Sequence, residues 1–192
     1  MNLPNKLTVA RIILVPFFVA ALLINFPLNN LAALAIFAAA SITDLLDGKI
    51  ARKRGLVTDF GKFADPLADK ILVISALLCF VQLGLCDCVA VIIVLFREFA
   101  VTSIRLIAAS KGKVIAANIW GKVKTVTQMV AIICVLVMQI VLDIGELGVC
   151  LPCCLSNIFF IIGEGLIWVS TFFAILSGVI YVAQNKQFIS EK

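Results

Sequence analysis

The sequence predicts an all-α protein, a polytopic membrane protein with six transmembrane helices and both termini on the cytoplasmic side. Three observations carry this. Of the 192 residues, 63% are hydrophobic and the mean hydropathy is +1.17, more apolar surface than one soluble core of this size needs. Apolar runs recur over residues 7–26, 31–46, 67–85, 89–109, 123–142 and 158–183, each near the ~20 residues a helix needs to cross a bilayer. Basic residues are also segregated. The connections at 27–30, 84–88 and 143–157 contain no Lys or Arg, while the N-terminus, the 49–62 and 111–124 turns and the C-terminus hold nearly all of them. The positive-inside rule then puts the termini and these two turns in the cytoplasm. Six spans use up most of the chain, so residues 1–192 read as one membrane domain.

The first helix begins MNLPNKLTVAR. Pro4 suits a first helical turn, where its missing N–H is not needed. Asn5, Thr8 and Arg11 recur at helical spacing and form a polar stripe, either an interfacial anchor or a ligand contact. Pro16 is expected to kink this helix, with neighbours satisfying the freed backbone. The run has no small-residue cleavage site and reads as a retained helix. In the second helix, Ala38, Ala39, Ala40 and Ser41 favour close helix packing, and full span length is reached only by including the acidic residues that follow. Residues 53–60, with Gly55, break the pattern and read as a turn. Asp65-Pro66 reads as a helix start, with Asp65 near the cap and Pro66 at the first helical position.

Gly84 and Cys86-Asp87-Cys88 mark a short outer turn. The fourth helix holds Arg97, Glu98 and Arg105, and three charges within a span are expected to face inward. Glu98 and Arg105, seven apart, share a face and can pair. The net positive excess favours instead Arg97 and Arg105 directed at an anion in the bundle interior. In the fifth helix Lys122 and Lys124 are two apart and cannot share a face. One enters the cavity and the other snorkels to headgroups; Lys122 is the expected cavity residue. The sixth helix carries Gly163, Gly165, Ser170 and Ser177 for packing, and Glu164 near its outer end, at the interface. Of seven cysteines, Cys79 and Cys134 read as small packing residues. Cys86, Cys88, Cys150, Cys153 and Cys154 gather at the outer turns, where disulfides or free thiols are both open.

The chemistry concentrates between Ser41 and Ile71, SITDLLDGKIARKRGLVTDFGKFADPLADKI. Asp44 and Asp47 are three apart, and Asp65 and Asp69 four apart. On helices, each pair shares a face, and a hairpin brings the pairs together. Carboxylates about 4 Å apart repel by roughly 4 kcal/mol per pair at an effective dielectric of ~20, so Arg52 alone cannot balance four. Two divalent cations can, and all-oxygen ligation suits Mg²⁺ or Mn²⁺ rather than zinc. Gly48 and Gly61 leave room for a bulky ligand beside the backbone. Two cations on four carboxylates suit in-line displacement at phosphorus. The surplus cations Arg97, Arg105, Lys122 and Lys124 point to a second, anionic substrate.

Asp44-x2-Asp47-Gly48-x2-Ala51-Arg52-x8-Gly61-x3-Asp65-x3-Asp69 resembles the full signature of the CDP-alcohol phosphotransferase family, with all eight fixed positions at the family spacing. The resemblance implies a bacterial cytoplasmic-membrane enzyme that moves a phosphatidyl group from CDP-diacylglycerol to an alcohol and releases CMP. It further implies Asp44, Asp47, Asp65 and Asp69 as metal ligands, with Asp69 also the general base. Asn5, Thr8, Gly48, Arg52, Thr58 and Gly61 are the implied donor-binding positions. NLPNKLTVARIILVP and the stretch from Arg97 to Ile132 resemble the bacterial branch of this family whose acceptor is sn-glycerol 3-phosphate, in keeping with the surplus cations. A homodimer is implied too, since six helices do not easily seal a polar cavity.

Other readings are an inositol-phosphate or phosphatidylglycerol acceptor, a transporter, or a prenyltransferase. A lipid acceptor would need a wider apolar pocket and fewer cations. Transporters usually show repeated halves, and none is visible. Prenyltransferases space their aspartates differently. The net charge of +5 reads as topology and affinity for anionic lipid surfaces, not nucleic-acid binding.

Overall fold

The computed structural model describes residues 3–54, 59–110, 118–146 and 154–186, and side chains over 7–43, 67–68, 70–109, 118–145 and 154–186. Among the described residues there are six helices and no strand: α1 (Leu3–Leu23), α2 (Asn29–Arg54), α3 (Asp59–Gln82), α4 (Cys88–Ser110), α5 (Ile119–Glu146) and α6 (Leu155–Gln184). The six apolar runs each became a helix. α1 packs on α2 and α3, α5 on α6 and α2, and α4 mainly on α6. Phe18 and Phe37, both fully buried, meet with ring centroids 5.7 Å apart and lock α1 to α2. Phe80, Leu77, Ile132, Leu136 and Ile167 extend this core across α3, α5 and α6.

The core is apolar, but the exterior is apolar too, and some polar groups are buried within the bundle. Thr8, Arg11, Lys124, Gln128, Ser170, Thr171 and Ser177 are buried, while Phe96, Phe99, Ile119 and Ile161 stand at least two-thirds exposed. An exterior of this kind suits hydrocarbon rather than water. Interior hydroxyls are satisfied along their own helices: Ser41 donates to the Phe37 carbonyl (2.8 Å), Thr102 to that of Glu98 (2.6 Å) and Thr171 to that of Ile167 (2.9 Å). Among the described residues, two helices are long and apolar enough to cross a membrane, over Ile119–Gly145 and Leu155–Gln184. Shorter apolar stretches fill Leu7–Leu23, Asn29–Thr43 and Lys70–Gln82. The acidic motif divides α2 and α3 into apolar and polar parts, and α4 carries Arg97, Glu98 and Arg105.

Two connections follow from local chemistry. At the end of α3 the Leu85 N–H bonds the Phe80 carbonyl (2.8 Å) and the Gly84 N–H that of Val81 (3.0 Å), with Gly84 at φ +70°. This is a Schellman cap, whose left-handed residue is best a glycine. Asp87 Oδ1 then accepts the Val89 N–H at 2.9 Å and caps α4. Leu28, at φ 59°, turns α1 into α2.

Several sequence-based boundaries are corrected. α2 runs to Arg54 and α3 begins at Asp59, so both ends of the turn expected over residues 53–60 are helical. Asp65-Pro66 therefore lies inside α3 rather than at its start: the loss of one backbone donor at Pro66 does not stop the turns on either side. Pro16 likewise lies within a continuous α1. Asp143, expected in a loop, belongs to α5, where Asn30 Nδ2 donates to both its oxygens at 3.0 Å and ties the start of α2 to the end of α5. Glu164 stands ten residues into α6 and is half-buried. Cys79, Cys86, Cys88, Cys134 and Cys154 are free thiols; Cys150 and Cys153 lie outside the described residues.

Candidate active site

The acidic motif is carried by helical backbone throughout its two halves. Asp44, Asp47, Gly48 and Arg52 lie on α2, and Gly61, Asp65 and Asp69 on α3. The two helices touch, and they are joined in sequence by residues 55–58. The i,i+3 and i,i+4 spacings thus fall on helices and put each aspartate pair along one side of its own. The side chains of Asn5, Asp44, Asp47, Arg52, Asp65 and Asp69, and all of Thr58, lie outside the described residues. Elsewhere, no three His, Cys, Asp or Glu side chains among the described residues come together. Thr8 and Arg11 turn into the bundle from α1 and are buried. They are therefore interior groups and not an interfacial anchor.

Directly beyond Asp69, a charged cluster ties α3 to α4, α5 and α6. Its centre is the Glu98 carboxylate. Oε1 accepts Lys124 Nζ at 2.6 Å and Arg97 Nη1 at 2.8 Å, and Oε2 lies 3.9 Å from Lys70 Nζ. Lys70 also donates to Thr102 Oγ1. Arg97 Nη2 reaches across to Ser177 Oγ on α6 at 2.5 Å. Three cations thus converge on one carboxylate, in a setting where Arg97, Lys124 and Glu98 are each nearly buried. Two buried donors, Arg97 Nε and Gln128 Nε2, have no protein partner. An excess of positive charge with unused donors is suited to a phosphate-bearing ligand.

The cluster revises the expected roles of the four basic residues. Lys124 is the lysine that enters the bundle, at 5% exposure, and Lys122 is exposed; Lys122 had been the expected cavity residue. α5 begins at Ile119, and the face it turns to α4 and α6 contains position 124. Glu98 pairs with Arg97 and Lys124, not with Arg105. Arg105 is exposed, and lies with its guanidinium carbon 5.5 Å from the Tyr181 ring centroid and Nε 3.3 Å from the Tyr181 hydroxyl. Of the two arginines expected in the interior, only Arg97 is there.

Glu98, Lys70, Ser177 and Tyr181 were not anticipated from sequence as site residues. Neighbouring helical residues point about 100° apart, so nothing in the spacing of Arg97 and Glu98 foretells their contact. It arises because α5 and α6 bring Lys124 and Ser177 to them. A separate cleft of about 670 Å³ at the other end of the bundle, bordered by Asn25, Asn30, Gln139 and Asp143, contains none of the expected site residues.

Comparison with known proteins agrees with the motif. The family model described as CDP-alcohol phosphatidyltransferase matches residues 1–176. A Bacillus subtilis protein named CDP-diacylglycerol–glycerol-3-phosphate 3-phosphatidyltransferase is 40% identical over 196 residues, spanning 96% of this chain and 95% of its own. A Rickettsia bellii protein of the same name is 35% identical over 189 residues, 97% of each chain. A Haemophilus influenzae protein of that name is 40% identical over 135 residues, 68% of this chain and 73% of its own. With the match extending from α1 into α6 and across both aspartate pairs, the chain belongs to the CDP-alcohol phosphatidyltransferase family.

Proposed function

We propose that this protein transfers the phosphatidyl group of CDP-diacylglycerol to sn-glycerol 3-phosphate, giving phosphatidylglycerophosphate and CMP in phospholipid biosynthesis. The observation that carries this is the near full-length similarity to proteins named for that reaction, in a chain whose eight motif positions are all present. The buried cations beside Asp69 favour a phosphate-bearing acceptor. A neutral alcohol or a lipid acceptor gives no reason to place Arg97, Lys124 and Lys70 around one carboxylate in an apolar bundle.

Asp44, Asp47, Asp65 and Asp69 are the residues that would hold two divalent cations, Mg²⁺ or Mn²⁺. The fit rests on an all-oxygen donor set placed at helical spacing on two consecutive helices that touch. Bound there, the cations would neutralise charge on the phosphate oxygens of the donor. Gly48, Arg52, Thr58 and Gly61, with Asn5 and Thr8 of α1, would hold the CDP-lipid. Arg97 and Lys124 would hold the acceptor phosphate, with Arg105 and Lys122 nearer the entrance. Asp69 would accept the proton of the acceptor hydroxyl. The hydroxyl oxygen then forms a bond to the phosphatidyl phosphorus as the bond from that phosphorus to CMP breaks.

All six helices are inferred to span the bacterial cytoplasmic membrane, with the motif, both termini and the active site on the cytoplasmic side and two copies forming a dimer. Support comes from the apolar exterior and from the placement of the basic residues. A motif at this depth lets the acyl chains stay in the bilayer while the headgroup meets a water-borne acceptor. The test is CMP release by purified protein supplied with CDP-diacylglycerol and, in turn, sn-glycerol 3-phosphate, inositol phosphate, serine or phosphatidylglycerol. Turnover with glycerol 3-phosphate at least tenfold above the others is expected, and preference for another acceptor would reassign the substrate.

A further inference from the structure

We propose that the face of α6 formed by Ser177, Gly178 and Tyr181 is a positioning surface for the basic residues of the acceptor site, and that Gly178 sets the reach of Arg97. This rests on the assignment of Arg97 to the acceptor phosphate. The three residues lie beyond the part of the chain that the family model covers, residues 1–176.

The geometry is that of a slot. A Cβ placed on Gly178 would stand 3.0 Å from Arg97 Cγ and 3.9 Å from its Cβ. The stem of Arg97 therefore lies directly on the α6 backbone at Gly178, where no side chain intervenes. Its guanidinium then passes over a second glycine: a Cβ on Gly121 of α5 would stand 3.7 Å from Nη2. At the far end Ser177 Oγ accepts Nη2 at 2.5 Å and Glu98 Oε1 accepts Nη1 at 2.8 Å. Arg97 is thus fixed at both stem and head, with Nε left unbonded to protein. One turn further along α6, Tyr181 packs its ring under Arg105 and meets Nε of that residue through its hydroxyl. Tyr181 lies four residues from Ser177 and three from Gly178, next to both on the helix surface, so one region of α6 contacts both arginines of α4.

Packing alone does not account for this. A small residue that only lets helices approach needs no charged neighbour, whereas here the space freed by glycine is filled by an arginine stem. The close contact falls near the root of the side chain, so the arginine cannot relieve an added methyl by swinging its tip. Tolerating that methyl requires the Arg97 stem to give by a few tenths of an ångström at Cγ, a shift that is carried out along the side chain to the guanidinium. Gly165, on the same helix, has nothing within 4 Å of an added Cβ and is a control for the chemistry of the substitution itself.

The experiment measures CMP release by the full-length protein in lipid nanodiscs, with separate KM values for sn-glycerol 3-phosphate and CDP-diacylglycerol, and thermal melting of each variant. Gly178→Ala is expected to raise the acceptor KM about tenfold or more, the scale on which small misplacements act, with the donor KM and the melting temperature nearly unchanged. Gly165→Ala should leave all three unchanged. Ser177→Ala, which removes one hydrogen bond and adds no bulk, should raise the acceptor KM roughly fivefold and decides the matter if Gly178→Ala fails to fold. Arg97→Gln tests the underlying assignment: an unchanged acceptor KM there removes Arg97 from the acceptor site and the inference with it. A large effect of Arg97→Gln with none from Gly178→Ala and Ser177→Ala, or equal effects of the two glycine substitutions, overturns the positioning role alone.

Discussion

Lys124 and Lys122 show what a single residue's position decides. Both are lysines on one turn of α5, yet one is buried against Glu98 and the other is exposed. Lys124→Met should raise the acceptor KM at least tenfold while Lys122→Met changes it less than threefold, as measured by CMP release at saturating donor. Glu98→Gln leaves Lys124 and Arg97 without their shared counter-charge. Breaking a buried pair in this way costs about 3–5 kcal/mol, and a clear loss of thermal stability is expected. The double variant Glu98→Gln with Lys124→Met should regain part of that stability, because only Arg97 is then left without its buried counter-charge, but should not regain acceptor binding. Recovery of both would make the pair purely structural. Asp69→Asn should lower turnover by roughly 10²–10⁴-fold, the usual contribution of a positioned base, with the melting temperature preserved. At this scale the motif was legible because eight residue types at fixed intervals leave little freedom. The Glu98 cluster was not, since its members come from four helices and their contacts depend on how those helices rotate against one another.

Among the elements, the turn from α3 to α4 makes the sharpest prediction. Gly84 sits at φ +70° inside a Schellman cap, where any side chain is strained. Gly84→Ala should cost roughly 1 kcal/mol, and Asp87→Ala, which removes the cap of α4, about the same. Thermal melting in nanodiscs measures both, and neither should change the acceptor KM, since the turn is at the opposite end of the bundle from Asp69. An altered KM would mean that the two ends are coupled. The existence and order of the six helices were readable from apolar runs alone. Their ends were not, because polarity does not stop a helix: α2 continues through Lys49–Arg54 and α3 starts before Pro66. Charged helix ends that face water or a ligand look like loops to an apolar count.

For the whole molecule, the distribution of charge predicts which end of the bundle faces the cytoplasm, and free cysteines at the opposite end make this measurable. Cys88 and Cys154 are exposed thiols beside the outer turns, while Cys86 is buried and donates to the Leu77 carbonyl at 3.8 Å. Burial, reinforced by the neighbouring charges of Asp87, Glu164 and Cys88, pushes the Cys86 thiol up to about 11, so it stays protonated and unreactive at neutral pH. A membrane-impermeant maleimide applied to intact spheroplasts at pH 7.5 should label Cys88 and Cys154 and spare Cys86. Labelling of the first two only after lysis would invert the orientation. The apolar exterior of the bundle was foreseeable from composition. Which polar groups would be buried was not, since an apolar exterior can enclose any of several faces of each helix.

The central claim is that the paired aspartates of α2 and α3 act through divalent cations on a CDP-lipid. Its most direct measurement is CMP release from CDP-diacylglycerol and sn-glycerol 3-phosphate after chelation and re-addition of metal. Release should stop on chelation and return with Mg²⁺ or Mn²⁺ in the native protein, while Asp44→Asn and Asp65→Asn stay inactive with either ion. Full release from the chelated protein would contradict the account.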